Sequence, residues 1–154
     1  HFQEPVPQSS IDFLIGASLM LRRELLLQGL TLDDQAFFLY WEDTDLGFRI
    51  RKAGWSLAVA SDSIVWHKES ASTSLFSPFK HRFMGVSLVR FFRRHAVCAP
   101  WSISAALAVR IGKRVTQRQW QCVKALLQGA VEELFERPSA FRRTPPSRPE
   151  IIEA

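Results

Sequence analysis

A serine-rich break, SASTSLFSP at residues 70–78, separates two stretches that cannot serve the same layer of a fold. Before it, short apolar runs of β-like character alternate with helical ones. After it, everything from Phe79 to Arg137 keeps helical periodicity, in three segments at about 79–95, 101–114 and 117–136. Any sheet must therefore come from the first half. There the run DFLIGASLML, from Asp12 to Leu21, is apolar and interrupted by Gly16, Ala17 and Ser18, which predicts a buried strand with close backbone approach. RRELLLQG predicts a short helix closed at Gly29, because glycine takes the left-handed conformation past a last helical turn at no steric cost. Glu42–Ala53 sets Leu46, Ile50 and Ala53 at helical spacing, with acids first, cations last and Gly54 directly behind, a helix complemented at both macrodipole ends. SLAVAS then alternates Leu57 and Val59 inward, and SIVWH follows as a second β-like run. Strand, helix, helix, strand, strand is α/β.

Residues 1–10, with two prolines, read as a linker, and the Pro-rich tail 138–154 reads as disordered. With 47% hydrophobic and 23% charged residues, the chain as a whole is not a disordered one. No apolar run reaches the roughly 18 residues needed to span a bilayer, and no secretory pattern follows His1. Cys98 and Cys122 are far apart and outside any zinc-type spacing, so both are expected as buried small residues in a reducing compartment.

Charge is unevenly placed: residues 1–69 carry ten acids against six Lys/Arg, whereas residues 70–131 carry ten Lys/Arg and no acid. Such a block attracts phospholipid headgroups, sugar-nucleotide phosphates or nucleic acid, unless it is a solvated face that pairs with the acidic half. The first helix after the break mixes Phe79, Phe83, Phe91 and Phe92 with Lys80, Arg82, Arg90, Arg93 and Arg94. That composition fits an element lying on an anionic membrane, or equally a core helix with snorkelling arginines. Nucleic acid is not an expected partner, since no helix-turn-helix, RRM or KH signature accompanies the charge.

The chemistry concentrates in FFLYWEDTDLGFRIRKAGW. Glu42, Asp43 and Asp45 fall at a predicted helix start, directly after four aromatics in five positions. A helix N-terminus favours anionic side chains, so these acids are expected to be ionised near neutral pH. An ionised carboxylate beside aromatic walls suits a sugar-binding general base, because pyranose C–H faces stack on rings while the base takes a hydroxyl proton. Plain helix capping by Glu42 or Asp43 is the alternative.

Taken in order, DFLIGASLMLRREL, FFLYWEDTDLGFRIRKAGW and SDSIVWH resemble the C-terminal half of bacterial family 2 glycosyltransferases of the rhamnosyltransferase-like kind. There a G-A/C-x-x-L-x-R strand and helix precede an FF-x-Y-x-E-D-x-D-L-x-x-R-x-x-x-A-G stretch, and a strand ending in His follows. The resemblance covers about residues 11–75 and implies a partial GT-A (nucleotide-diphospho-sugar transferase) fold of α/β class, followed by a basic helical extension over 76–137. It implies an inverting, hexosyltransferase-type enzyme that moves a sugar from a nucleotide-diphosphate donor to a glycan or lipid-linked acceptor in cell-surface polysaccharide synthesis. The site would lie at the cytoplasmic face of the plasma membrane, with peripheral attachment to anionic lipid.

On this resemblance Asp43 is the catalytic base and Glu42 a supporting acid. Tyr40, Trp41, Asp45, Gly16, Ala17 and Ser18 would line the acceptor subsite. His67 would complete the coordination of a divalent cation, Mg2+ or Mn2+, on the donor diphosphate. Taken singly, His67 reads as an ordinary strand-end histidine, the aromatics as core, and the small residues as tight strand packing. Family members carry an upstream donor-binding half ending in an Asp-x-Asp type motif, which these residues do not supply, so the isolated chain is expected to be inactive. TLDDQAFF departs from the usual G-x-F-D-E-x-F-F, leaving Asp33 or Asp34 as the turn acid. The alternative function is a non-catalytic remnant that binds an acceptor or a membrane.

Overall fold

The computed structural model describes residues 11–60, 62–67 and 77–135. The expected linker 1–10, most of the serine-rich break and the expected disordered tail lie outside the described residues. Five helices follow in order: α1 (Arg23–Leu27), α2 (Glu42–Lys52), α3 (Pro78–His95), α4 (Ala99–Thr116) and α5 (Trp120–Phe135).

Their ends follow local chemistry. Behind α1, Gly29 has φ 75°. Its N–H reaches Leu26 O at 3.0 Å, and Leu30 N–H returns to Leu25 O at 2.9 Å. Behind α2, Gly54 at φ 84° does the same, with Gly54 N–H to Arg51 O and Trp55 N–H to Ile50 O. Both are Schellman closures, and in both the flanking apolar pair, Leu25 with Leu30 and Ile50 with Trp55, joins one core. The closure of α4 has the same hydrogen bonds, from Arg118 N–H to Val115 O and from Gln119 N–H to Arg114 O, but its left-handed residue is Arg118, at φ 54°.

The three strands expected at 12–21, 56–61 and 63–67 are not present among the described residues, whose regular structure is entirely helical. The expected α/β layering is therefore not seen among the described residues. A strand needs a neighbour to take its N–H and C=O groups. Instead, the segment from Asp12 to Gly16 lies along α2: Asp12 pairs with Arg51, Phe13 packs on Gly47, and Gly16 meets Asp43. Positions 43, 47 and 51 are one turn apart and form a single ridge, with glycine where the segment comes closest. A Cβ at Gly47 would stand 3.0 Å from the Phe13 Cα.

Two cores result. Leu25, Leu46, Ile50 and Leu57 form the first, around α1 and α2. Leu88, Val89, Ile103 and Ala130 form the second, among α3, α4 and α5, with Trp41 and Phe92 packed against it. Helices α3 and α5 touch backbone to backbone. A Cβ at Gly85 would fall 2.2 Å from Leu126 O, and one at Gly129 2.0 Å from Arg82 O.

Of the two expectations for α3, the structure takes the core helix. Phe91 is buried, and the arginines are engaged within the chain. Arg82 pairs with Glu132 and Arg90 with Glu133, each at 2.8 Å, and Arg94 meets Asp33 at 2.9 Å. Arg93 donates to the carbonyls of Glu133 and Leu134, capping the end of α5. The expected burial holds for Cys122 but not for Cys98, which is exposed just ahead of α4; neither is in a disulfide. No helix among the described residues is long and apolar enough to cross a membrane.

Candidate active site

The start of α2 is held in an unusual backbone path. Tyr40 and Trp41 have φ values of 65° and 72°, a left-handed conformation that costs a residue with a side chain about 1–2 kcal/mol. Contacts from α3 and α4 fix it. The Trp41 ring lies 4.6 Å from Phe91 and 5.7 Å from Phe92, and the Arg110 guanidinium sits 5.1 Å over it. Lys80 stands 5.2 Å over the Tyr40 ring. Just upstream, Ser87 donates to Leu39 O at 3.0 Å and Arg90 to Ala36 O at 2.5 Å. The turn acid left open by the sequence is Asp33. One of its oxygens accepts the Ala36 N–H at 3.0 Å, and the other meets Arg94.

The three carboxylates at this helix start separate into three environments. Asp43 Oδ2 accepts the Gly16 N–H at 2.7 Å, while Oδ1 accepts the Thr44 N–H at 2.6 Å and the Thr44 hydroxyl at 3.2 Å. A Cβ at Gly16 would stand 3.3 Å from both Cβ and Oδ2 of Asp43, so the small residue is what lets the segment approach. Ala17 and Ser18 follow, both exposed. Asp43 and the Gly16–Ser18 stretch thus form one surface, with a lone pair of Oδ2 left over for a further donor.

Glu42 is half-buried, and its Oε2 has no hydrogen-bond partner among the described residues. Burial pushes its carboxyl above the ordinary glutamate value, a backbone hydrogen bond opposes this, and the neighbouring Asp43 charge adds to the rise. At Glu42 desolvation thus works against the helix terminus, which favours the charged form.

Asp45, expected at the acceptor subsite, is 0% exposed. Arg49 Nε reaches it at 2.7 Å, Arg94 at 3.0 and 3.2 Å, and His95 Nε2 at 2.8 Å. Burial alone would raise its carboxyl, but hydrogen bonds from His95 and Arg49 and the charges of Arg94 and Arg49 prevail and hold it below the usual carboxylate range. With its oxygens occupied by internal donors, Asp45 ties α2 to α3 and is not available to an acceptor. Arg94 and His95 are the residues sequence reasoning missed; they lie 49 and 50 positions from Asp45, and no local pattern announces them.

Tyr40 and Trp41 are both half-buried. Trp41 is engaged in packing, in line with the core alternative. His67 is exposed. Among the described residues no three His, Cys, Asp or Glu side chains converge to hold a metal ion. The described residues thus do not by themselves fit a divalent cation, and no reaction step is derived through one.

No solved structure matches the chain. Two curated relatives do, both named N-acetylglucosaminyl-diphospho-decaprenol L-rhamnosyltransferase, from Mycobacterium tuberculosis strains CDC 1551 / Oshkosh and ATCC 25618 / H37Rv. Each is 41% identical over 59 residues, which is 38% of this chain and 19% of the relative, so the shared stretch spans about a fifth of those proteins. The sequence model of the family described as "Glycosyltransferase like family 2" matches residues 1–86, more than half of the chain and the whole of α2. The chain belongs to glycosyltransferase family 2, and within that stretch it is similar to these rhamnosyltransferases.

Proposed function

We propose that this chain is the acceptor-side portion of an inverting glycosyltransferase in which Asp43 is the general base. The observation that carries the reading is the seating of Asp43. Its carboxylate lies against the exposed Gly16–Ser18 surface, held by the Gly16 and Thr44 N–H groups, with one lone pair unused. In the proposed reaction that oxygen takes the proton of an acceptor hydroxyl. The hydroxyl oxygen bonds to the anomeric carbon from the face opposite the nucleoside diphosphate, which departs with the electrons of the broken C–O bond. Family membership supports the nucleotide-sugar donor. The names of the relatives support a lipid-linked acceptor, and with it work at a membrane in the building of a surface glycan.

Within this reading Gly16, Ala17, Ser18 and Tyr40 border the acceptor. Glu42 supplies a second, less acidic carboxyl beside the base, and Trp41 and Asp45 position the helix that carries both. Residues 11–75 make up the acceptor side, and the extension over 76–137 buttresses it through α3, α4 and α5. A divalent cation, with His67 as a candidate ligand, belongs to the reading but enters no step above.

The test is sugar transfer by the enzyme that contains this chain, given its sugar nucleotide and acceptor. Asp43→Asn should lower turnover about 10²–10⁴-fold, the usual contribution of a general base, with donor KM and the circular dichroism spectrum unchanged. Turnover within a few-fold of wild type would refute the assignment. No transfer by the unaltered enzyme would favour the non-catalytic module.

A further inference from the structure

Helix α4 is apolar on both sides. Its inner side, Ile103, Ala106 and Leu107, joins the core with α3 and α5. Its outer side presents Trp101, Ala105, Ala108, Val109 and Gly112, all exposed and close to one helical face. No charge occurs on that face before Lys113. Trp101 is 78% exposed and Val109 73%, and Val97 just ahead of the helix is fully exposed.

Past the C-terminal end of this face come the exposed cations Lys113 and Arg118, and no acid occurs anywhere from residue 96 to residue 131. Arg82, Arg90 and Arg94 of α3 meet carboxylates; Lys113 and Arg118 meet none among the described residues. Arg118 adds a second sign. It occupies the left-handed closing position that α1 and α2 give to Gly29 and Gly54, so a cation is kept where glycine is the less strained choice.

We propose that α4 and the α4–α5 turn form the surface on which the protein rests on an anionic bilayer. The Trp101–Gly112 face enters the headgroup boundary, and Lys113 and Arg118 meet lipid phosphates. An interfacial helix combines an apolar face, tryptophan at the boundary and flanking cations in this way. A second copy of the chain fits less well, since it brings two more cations and no acid to the same face. The inference rests on the reading of a lipid-linked acceptor for its purpose. The inner side of α4 sets Arg110 over Trp41, so docking through the outer side brings the start of α2 to about one helix diameter, ~10 Å, from the headgroups.

The experiment is sedimentation of the full chain with vesicles of phosphatidylcholine alone and of phosphatidylcholine with phosphatidylglycerol. Wild type should bind the anionic vesicles only, and the tryptophan emission should shift to the blue, less so in Trp101→Phe. Lys113→Glu with Arg118→Glu should lower partitioning at least tenfold, since each cation at the surface accounts for about fivefold. Val109→Glu should lower it through the apolar face. Arg23→Glu with Lys52→Glu makes the same change in net charge away from α4 and should leave binding intact.

Three results would overturn the proposal: indifference of wild type to anionic vesicles, equal loss in the Arg23/Lys52 pair, or a dimer in sedimentation velocity that Val109→Glu dissolves. Vesicle binding needs neither donor nor acceptor, so it is measured independently of sugar transfer. Binding that depends on α4 without sugar transfer sinks the transferase reading alone. Transfer that depends on Asp43, with vesicle binding blind to α4, sinks the docking surface alone.

Discussion

Replacing Gly85 or Gly129 by alanine should force α3 and α5 apart. The new Cβ would stand 2.2 Å from Leu126 O in the first case and 2.0 Å from Arg82 O in the second, against about 3.4 Å for ordinary contact. Both obstacles are helix backbone, which has no rotamer to change, so the helices must separate by about 1.2–1.4 Å. That separation loosens Leu88, Val89, Leu126 and Ala130, all buried at this crossing, and lengthens the Arg82–Glu132 and Arg90–Glu133 pairs. Overpacking of this kind costs about 1–3 kcal/mol, and the rigid obstacle argues for the upper end. Alanine returns about 1 kcal/mol of helix propensity. The net loss is about 2 kcal/mol, a fall in Tm of about 4–8 °C for a chain of this size. Gly112 is the internal control, since a Cβ there meets nothing within 4 Å. Gly112→Ala should therefore gain the propensity term and raise Tm by about 2–4 °C. The assay is thermal unfolding followed by circular dichroism at the helical band. If all three variants shift Tm in the same direction, close backbone contact between α3 and α5 is not what holds these glycines.

The other expectations concern charge and backbone. Asp45→Asn removes one partner of a buried network and should cost about 3–5 kcal/mol by denaturant titration. Because the folded chain holds the Asp45 carboxyl below its ordinary value, its contribution is complete above the unfolded value, near pH 4, and is lost as pH falls through the folded one. Stability should therefore fall less steeply toward acid in Asp45→Asn than in wild type; an unchanged slope would remove Asp45 from the network. Arg118→Gly should stabilise the chain by about 1 kcal/mol by relieving the left-handed position, while weakening binding to anionic vesicles. A variant that loses both stability and binding would show that the Arg118 side chain holds the turn together.

Helix positions were legible in the sequence because their signals are local. Gly29 and Gly54 mark the ends of α1 and α2, and acids at one end and cations at the other mark α2 itself. The end of α4 carries no such mark, since Arg118 takes the conformation that a glycine would have advertised. The apolar run around Gly16 was legible as a segment but not as a partner of α2; apolar residues satisfy a strand and an extended packing segment equally well. Nor could composition choose between a membrane helix and a core helix for α3. That choice is made by Glu132, Glu133, Asp33 and Asp45, which lie some 40 to 60 residues away from the arginines they meet.

The candidate site shows the same division, and helix geometry explains it. Each residue of an α-helix is turned by about 100° from the last, so Glu42, Asp43 and Asp45 cannot share one face. Glu42 lies one turn above Leu46 and two above Ile50, both in the first core, which is why burial pushes its carboxyl upward. Asp45 lies one turn above Arg49 and faces α3, where Arg94 and His95 close over it. Asp43 alone heads the ridge of Gly47 and Arg51 along which the Asp12–Gly16 segment runs. Sequence proximity made the three acids look like one constellation; their angular positions give them one outward task and two inward ones. The left-handed pair Tyr40–Trp41 fixes which acid gets which, because the direction in which the chain enters α2 sets the rotation of the whole helix against α3. Arg110 and Phe91, which clamp the Trp41 ring, therefore govern where the Asp43 carboxylate points without touching it.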